Sequence, residues 1–274
     1  MTPGTLLTRT KHWLKLNNIR LSKQLGQHFL VDDTVLMHII EYSHLRKDEQ
    51  VLEIGTGNGI LTRELAEHVQ LVNTIEKDIK FYQILADEFE ANTRIQLILG
   101  DATNIEWPPC DKLIANLPYA ISSPILFKLF TTNIPLAVVM LQKEFGDRLS
   151  AKPGLKQYGR LTVMAAYYSK IELLEVIPPD AFYPPPTVSS ALVRITRNVE
   201  PAFEVKELAL FQQVVTALFN QRRKKIRTPL KAFLGKTRFQ QIEHKIPWID
   251  QRVEALTPIQ IAEIANLLYE EQVV

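Results

Sequence analysis

Glu53-Ile54-Gly55-Thr56-Gly57-Asn58-Gly59 is the stretch of this chain that decides its fold. Its glycines follow the β-like run at 51–54 and precede an amphipathic pattern at 60–67, so they fall between a predicted strand and a predicted helix. Glycines at such a turn let the backbone approach a ligand at the carboxyl edge of a parallel sheet. The spacing is G-x-G-x-G, and Ile60 stands where a dinucleotide fingerprint would require a third glycine. The loop therefore predicts a nucleotide-type ligand other than NAD.

Short β-like runs alternate with amphipathic stretches over the first two-thirds of the chain. The predicted strands are 51–54, 71–75, 95–99, 112–115, 136–141, 171–177 and 190–196, and the predicted helices are 34–43, 60–67, 79–89, 123–130 and 160–168. This alternation predicts an α/β fold with a doubly wound, Rossmann-like sheet. Only a short Pro-rich segment separates the last two strands, so we expect them to pair antiparallel at the sheet edge.

The pattern changes near Asn198, where helix signals continue without strands. Apolar residues repeat at helical spacing over 203–219, and Thr257-Pro258 has the pattern of an N-cap followed by proline at the first helical position. At 274 residues, one large domain with a smaller appendage is expected. We therefore predict two domains: 1–198, which would be the catalytic domain, and 199–274, which would be all-helical.

Charge is unevenly distributed although the net charge is only +2. Residues 1–31 and residues 222–238 carry Lys and Arg without any acid, so each should present positive potential on one face. Cys110 is the only cysteine, which excludes an intramolecular disulfide and favours a reducing compartment. We expect no metal site and no membrane span, because neither zinc-ligand spacing nor a sufficiently long apolar run is present.

Two acidic residues follow predicted strands at the same edge as the glycine loop. Glu76 ends the second strand, about 20 residues beyond the glycines, where a carboxylate can accept both hydroxyls of a ribose. Asp101 follows the third strand, where it can accept hydrogen bonds from the amino group of adenine. A ribose site would suit NAD as well, but the glycine spacing together with both acids favours S-adenosylmethionine.

Asn116-Leu117-Pro118-Tyr119 follows the fourth predicted strand and has the composition of a site for a planar amine. The Asn116 side chain and the Leu117 carbonyl can accept both hydrogens of an exocyclic amino group, and the Tyr119 ring can stack on a base. Pro118 fixes φ between them. An ordinary Asn-x-Pro turn closing a strand is the alternative interpretation of these four residues.

With these motifs in order, the chain resembles the small-subunit ribosomal RNA adenine dimethyltransferase family, a class of S-adenosylmethionine-dependent methyltransferases. The similarity covers about nine-tenths of the sequence, and its motifs are Leu25-Gly26-Gln27-His28-Phe29-Leu30, the glycine loop, both acids, Asn116 to Tyr119, Phe182-Tyr183-Pro184-Pro185-Pro186-Thr187-Val188-Ser189-Ser190 and Leu218-Phe219-Asn220-Gln221-Arg222-Arg223-Lys224-Lys225. His28 and Thr56 depart from the family pattern, in which Asn and Pro are frequent at these positions.

The resemblance implies a role for each matched residue. Asn116, Leu117, Tyr119 and Phe182 would form the catalytic pocket, with Tyr119 and Phe182 on either side of the target adenine. The cofactor would be held by Gln27, His28, Leu30, Gly55, Gly57, Glu76, Asp101 and Asn116. Phosphates of the RNA would be bound by Arg222, Arg223, Lys224, Lys225 and Arg227.

The activity implied by the resemblance is dimethylation of adenines in a small-subunit ribosomal RNA loop during ribosome biogenesis. Ribosomal RNA, or the immature small subunit, would be the partner of a cytoplasmic protein, which we expect to be a monomer. Two alternatives stay open: a large-subunit methyltransferase conferring antibiotic resistance, and a non-catalytic assembly or transcription factor that keeps the fold. Leu117 and the long match through the C-terminal region favour the small-subunit enzyme.

Overall fold

A computed structural model describes residues 4–19, 21 and 28–272. The helices of this part of the chain are α1 (Leu6–Leu16), α2 (Asp33–Ser43), α3 (Ile60–Ala66), α4 (Ile79–Phe89), α5 (Ser122–Thr131), α6 (Lys143–Leu149), α7 (Arg160–Tyr168), α8 (Leu208–Phe219), α9 (Arg227–Leu234), α10 (Lys236–Ile242) and α11 (Pro258–Glu270). The strands are β1 (Phe29–Leu30), β2 (Gln50–Ile54), β3 (Leu71–Glu76), β4 (Ile95–Leu99), β5 (Lys112–Asn116), β6 (Leu136–Gln142), β7 (Ser169–Ile177), β8 (Phe182–Tyr183) and β9 (Ser190–Arg197). None of these helices is both long enough and apolar enough to cross a bilayer.

Seven strands form one sheet in the order β4-β3-β2-β5-β6-β9-β7. Strands β4, β3, β2, β5 and β6 run parallel, and β9 pairs antiparallel with β6. The strand order reverses direction between β2 and β5, and ligands of open α/β sheets bind at such a switch point beyond the carboxyl ends of the strands. The predicted doubly wound, Rossmann-like fold is therefore confirmed, and β9 and β7 are neighbours at one edge as expected.

Apolar residues on both faces of the central strands explain why this sheet lies inside the unit. Leu113 and Ile114 of β5 and Val138 and Val139 of β6 are fully buried. Continuous apolar runs of this kind are typical of parallel strands covered on both faces by helices. The core therefore holds the loops after β2 and β5 on a rigid support.

Several elements had no counterpart in the sequence prediction, namely α1, α6, α9, α10 and the two-stranded sheet of β1 and β8. In that small sheet Phe29 lies opposite Tyr183, and Leu30 lies opposite Phe182. Strands of only two residues have no recognisable alternation, and their pairing joins segments far apart in the chain. The helix predicted over 203–219 begins only at Leu208, because the Glu207 carboxylate caps the N–H groups of Ala209 and Leu210.

Residue contacts divide the chain into two compact units, Met1–Gly146 with Glu172–Arg197, and Asp147–Ile171 with Asn198–Val274. The second unit therefore contains residues 147–171, which the predicted ranges place in the first domain. Its own contacts explain this: the ring of Tyr167 lies 5.2 Å from that of Phe203 and 5.6 Å from that of Phe211. The capping box at Thr257, followed by proline at the first helical position, is confirmed at the start of α11.

Candidate active site

The glycine loop between β2 and α3 has a backbone that only glycine adopts readily. Gly55, Gly57 and Gly59 have φ values of 84°, 59° and 72°, in the left-handed region where a Cβ is costly. The Gly55 N–H donates to the Ile75 carbonyl at 2.9 Å, which holds the loop against the end of β3. A Cβ on Gly55 would lie 3.3 Å from Cδ of Pro118. The glycine loop and the loop after β5 are therefore in contact.

Glu76 is held at the end of β3 by backbone N–H groups from two directions. One carboxylate oxygen accepts from Gly57 at 3.0 Å and the other accepts from Asp78 at 2.8 Å. Burial raises the pKa of Glu76, and these N–H donors oppose that rise. Each oxygen keeps a second lone pair, so the carboxylate can still accept two hydroxyl groups. This geometry suits the ribose role predicted for Glu76.

Asp101 lies beyond the end of β4 and is ionised throughout the physiological range. A hydrogen bond from Lys77 at 2.7 Å, with further ones from the Thr103 hydroxyl and N–H at 2.6 and 2.9 Å, holds the carboxylate in place. The Lys77 bond first, and then the Thr103 bonds, lower the pKa of Asp101 to about 2. A carboxylate with about four acceptor positions can accept one more N–H, such as that of an adenine amine.

Asn116 is the last residue of β5, beside the contact between the two loops. Its Nδ2 donates weakly, at 3.4 Å, to the His28 carbonyl. This bond uses the donor end of the amide, so Oδ1 is the atom suited to accept a hydrogen from an incoming amine. Leu117 is buried and its N–H donates to the Met140 carbonyl at 3.2 Å. Strand pairing therefore positions both groups that were predicted to hold the amine.

Tyr119 opens a short 3-10 helix, Tyr119–Ile121, directly after the Asn-Leu-Pro turn. Its hydroxyl shares a hydrogen bond of 2.7 Å with that of Ser190, and burial raises the pKa of the phenol despite this bond. The imidazole of His28 lies 5.8 Å from the Tyr119 ring, and its Nδ1 is 2.7 Å from the Pro184 carbonyl. His28 thus makes a definite side-chain contact beside the predicted base site.

Phe182 and Leu30 are more buried than their predicted roles require. Phe182 is 3% exposed and Leu30 is 6% exposed, and both belong to the hydrophobic core of the first unit. In this conformation, neither face of the Phe182 ring is open to a base. Stacking by Phe182 stays a prediction that requires its ring to become more exposed. Gln27 lies outside the described residues.

Glu53 forms a buried polar network beneath the glycine loop, a role that the sequence motifs did not predict. Its carboxyl group accepts from the hydroxyls of Thr62 at 2.6 Å and Thr74 at 2.7 Å, and Thr56 shares a 2.7 Å hydrogen bond with Thr74. Burial raises the pKa of Glu53 to about 8, against the lowering effect of these donors. Its position as the first residue of the glycine motif was the one sequence signal that could have indicated a role for Glu53. Thr56, a departure from the family pattern, adds a hydroxyl to this network.

The predicted phosphate-binding residues differ in whether acids pair with them. Within the second unit, Arg222 binds Glu254 at 3.2 Å, Lys225 binds Asp250 at 3.3 Å, and Arg227 binds Glu243. The exposed residues Arg223 and Lys224 have no acidic partner among the described residues. Of the five residues, these two are therefore the best placed for phosphate.

This arrangement defines a class of protein: an open α/β sheet, with a glycine loop at its switch point and a carboxylate at the end of each of the next two strands, is the architecture of Rossmann-like methyltransferases. Among these, the chain belongs to the ribosomal RNA adenine dimethylase family, whose model matches residues 18–270. The resemblance found in the sequence is thereby confirmed, and the chain is an enzyme of this family.

Alignments with similar proteins extend over nearly the whole chain. A protein of Methanosarcina mazei, named a probable ribosomal RNA small subunit methyltransferase A, is 37% identical over 94% of this chain and 96% of its own length. A ribosomal RNA small subunit methyltransferase A of Geobacillus thermodenitrificans is 36% identical over 97% and 96%. The crystal structure of a dimethyladenosine transferase from Plasmodium falciparum has a TM-score of 0.77 and 25% identity over 89% of this chain and 98% of that one. The 23S rRNA methyltransferase ErmE has a TM-score of 0.66 and 28% identity over 88% and 99%.

Proposed function

We propose that this protein transfers methyl groups from S-adenosylmethionine to the exocyclic amino groups of adenines in small-subunit ribosomal RNA, two to each adenine. The contact between Gly55 and Pro118 carries the proposal, because it brings the predicted cofactor loop against the predicted amine-binding loop. The names of the relatives support the small subunit as substrate.

The residues along the carboxyl edge of the sheet have the chemistry that S-adenosylmethionine requires. Glu76 would accept hydrogen bonds from the ribose hydroxyls, and Asp101 would accept one from the adenine amine of the cofactor. Gly55 and Gly57, which have no side chains, would let the cofactor lie close to the backbone of the loop. When bound, the cofactor supplies an electrophilic methyl group whose transfer leaves a neutral thioether. The protein must therefore align the amine with the methyl group and stabilise the charge that develops, and it needs no strong base.

The amine of adenine is a weak nucleophile because its lone pair is delocalised into the ring. Asn116 Oδ1 and the Leu117 carbonyl would each accept one of its hydrogens, which favours a pyramidal nitrogen with its lone pair directed at the methyl group. The weak bond from Asn116 Nδ2 to the His28 carbonyl favours the amide orientation in which Oδ1 is free to accept. Preorganised acceptors of this kind account for large parts of enzymatic rate enhancement.

The target base must leave its stack to reach this pocket, and an aromatic platform offsets the cost. Tyr119 would be that platform, because its hydroxyl is tied to Ser190 and its ring is steadied by His28. We place the enzyme in the cytoplasm as a monomer that acts on the immature small subunit during ribosome biogenesis. Arg223 and Lys224 of the second unit would bind phosphates of the same RNA.

Incubation with isotopically labelled S-adenosylmethionine and purified immature subunits tests the proposal. Mass spectrometry of nuclease digests should detect dimethyladenosine in small-subunit RNA, and none in a matched large-subunit reaction. Dimethyladenosine in the large-subunit reaction alone would identify a large-subunit enzyme. Tight binding to the small subunit with no label incorporated would instead identify an assembly factor.

A further inference from the structure

Helix α1 has one face fixed to the first unit and another face rich in positive charge. Leu6, Thr10 and Leu14 are buried at helical spacing, whereas Lys11 and Lys15 are exposed. Residues four apart lie on the same side of a helix, so the two ammonium groups are neighbours. No acid occurs in α1 itself.

Contacts at several points fix α1 beside the glycine loop. The Asn58 side chain, within that loop, donates to the Thr10 hydroxyl at 3.1 Å, and both residues are buried. Trp13 stacks on Phe81 with ring centroids 5.8 Å apart, and its indole N–H donates to Glu88 at 2.6 Å. A helix anchored in this way holds its exposed charges in a defined position relative to the cofactor loop.

The lysine face lies against the strand that contains Phe182. The Lys11 ammonium lies 5.1 Å from the centre of the Tyr183 ring. Tyr183 pairs with Phe29 in the small sheet, one residue from His28, whose ring contacts Tyr119. Lys11 is therefore connected through three ring-bearing residues to the predicted base platform.

Neither Lys11 nor Lys15 has an acidic partner among the described residues. Arg9, two residues before Lys11, points elsewhere. It lies near Arg63, whose pKa is lowered by burial and further by the charge of Arg9. Arg63 in turn pairs with Glu88. Arg9 therefore lies beside the Arg63–Glu88 pair, whereas Lys11 and Lys15 share a different face of the helix.

We propose that Lys11 and Lys15 form a docking face for the phosphodiester backbone of the RNA strand that flanks the target adenine. The inference rests on the proposed function, since it assumes RNA as the substrate. Charge complementarity selects the occupant, because two unneutralised ammonium groups on a fixed helix match successive phosphates. The face would orient the strand at the entrance of the base site.

Fluorescence anisotropy with labelled, in vitro transcribed small-subunit ribosomal RNA tests the proposal at several salt concentrations. In Lys11→Gln/Lys15→Gln, the slope of log affinity against log salt should become shallower by about 1.4, at about 0.7 for each lost contact with single-stranded RNA. Affinity at low salt should fall on the order of tenfold. Arg9→Gln is the matched control, and it should keep the wild-type slope.

Two further measurements make the outcome unambiguous. Cofactor affinity, measured by calorimetry, and the melting temperature should both be unchanged in the double variant. A wild-type slope in the double variant, an equal change in Arg9→Gln, or a parallel loss of cofactor affinity would each overturn the proposal. Because binding is measured without turnover, failure of the wild type to methylate RNA would refute the proposed function and leave this result interpretable.

Discussion

The carboxyl edge of the sheet and the basic segment 222–238 differ in where their side chains find partners. At the sheet edge, Glu76 and Asp101 each accept a hydrogen bond from a residue two positions further along the chain and another from a residue of a neighbouring loop. In the basic segment, Arg222 finds its acid at Glu254, far along the chain. Local partners leave a trace in the sequence at fixed offsets from a strand end, whereas distant partners leave none. The functional roles predicted for the two regions can therefore be tested separately by mutation.

The largest effect is expected at Phe182. The sequence predicts a ring that stacks on the target base, whereas the structure buries this ring in the core. Since the ring is buried in the core, Phe182→Ala should lower the free energy of unfolding by about 3–5 kcal/mol, as measured by urea denaturation. Phe182→Leu keeps most of the apolar volume and should cost below about 1.5 kcal/mol. If the ring also stacks on adenine, the Leu variant will methylate RNA more slowly at unchanged cofactor affinity. A wild-type rate in that variant would remove Phe182 from the catalytic pocket.

Much of the first unit was predictable because its determinants are local. Strand ends, the glycine spacing and the two acids occur in order, and the sheet then gathers them at one edge. The burial of Phe182 was not predictable in the same way, since it depends on β8 pairing with β1 from the other end of the unit. The missed network around Glu53 likewise needs Thr74 from the next strand. Strand register and cross-strand contacts arise only in the assembled sheet, so a local sequence pattern does not reveal them.

Asn116→Ala tests whether the edge of the sheet performs the chemistry. Removing one preorganised acceptor should raise the barrier by about 3 kcal/mol, which lowers the single-turnover rate constant roughly a hundredfold. Calorimetric affinity for S-adenosylmethionine should stay near wild type, because Glu76 and Asp101 are untouched. The rate is measured under single-turnover conditions with small-subunit RNA. Near-normal methylation would exclude Asn116 from the mechanism.

Glu53→Gln tests the buried network through its pH dependence. The pKa of Glu53 is raised to about 8 in the folded protein, whereas an unfolded glutamate titrates near 4.3. The folded state therefore holds more protons between these values, so wild-type stability should fall as pH rises, by up to about 1.4 kcal/mol per pH unit. The amide cannot ionise, so the variant should lose this slope and gain on wild type at pH 8. Urea denaturation at pH 5.5, 7 and 8.5 measures both, and identical slopes would show that Glu53 is ionised in the folded protein.

The smallest expected effect separates Arg223 from Arg222 within the basic segment. Arg223 is exposed, so Arg223→Gln should make the salt slope of RNA binding shallower by about 0.7 without affecting stability. Arg222 is tied to Glu254 and to the carbonyls of Leu155 and Lys156, so Arg222→Gln should cost about 1 kcal/mol of stability. Its effect on the salt slope should be smaller, because Glu254 already neutralises that charge. Anisotropy titrations of both variants measure the salt slopes, and thermal melts measure their stability. Equal slopes for the two variants would mean that RNA displaces Glu254, and the pairing seen in the free protein would then not restrict which cations bind phosphate.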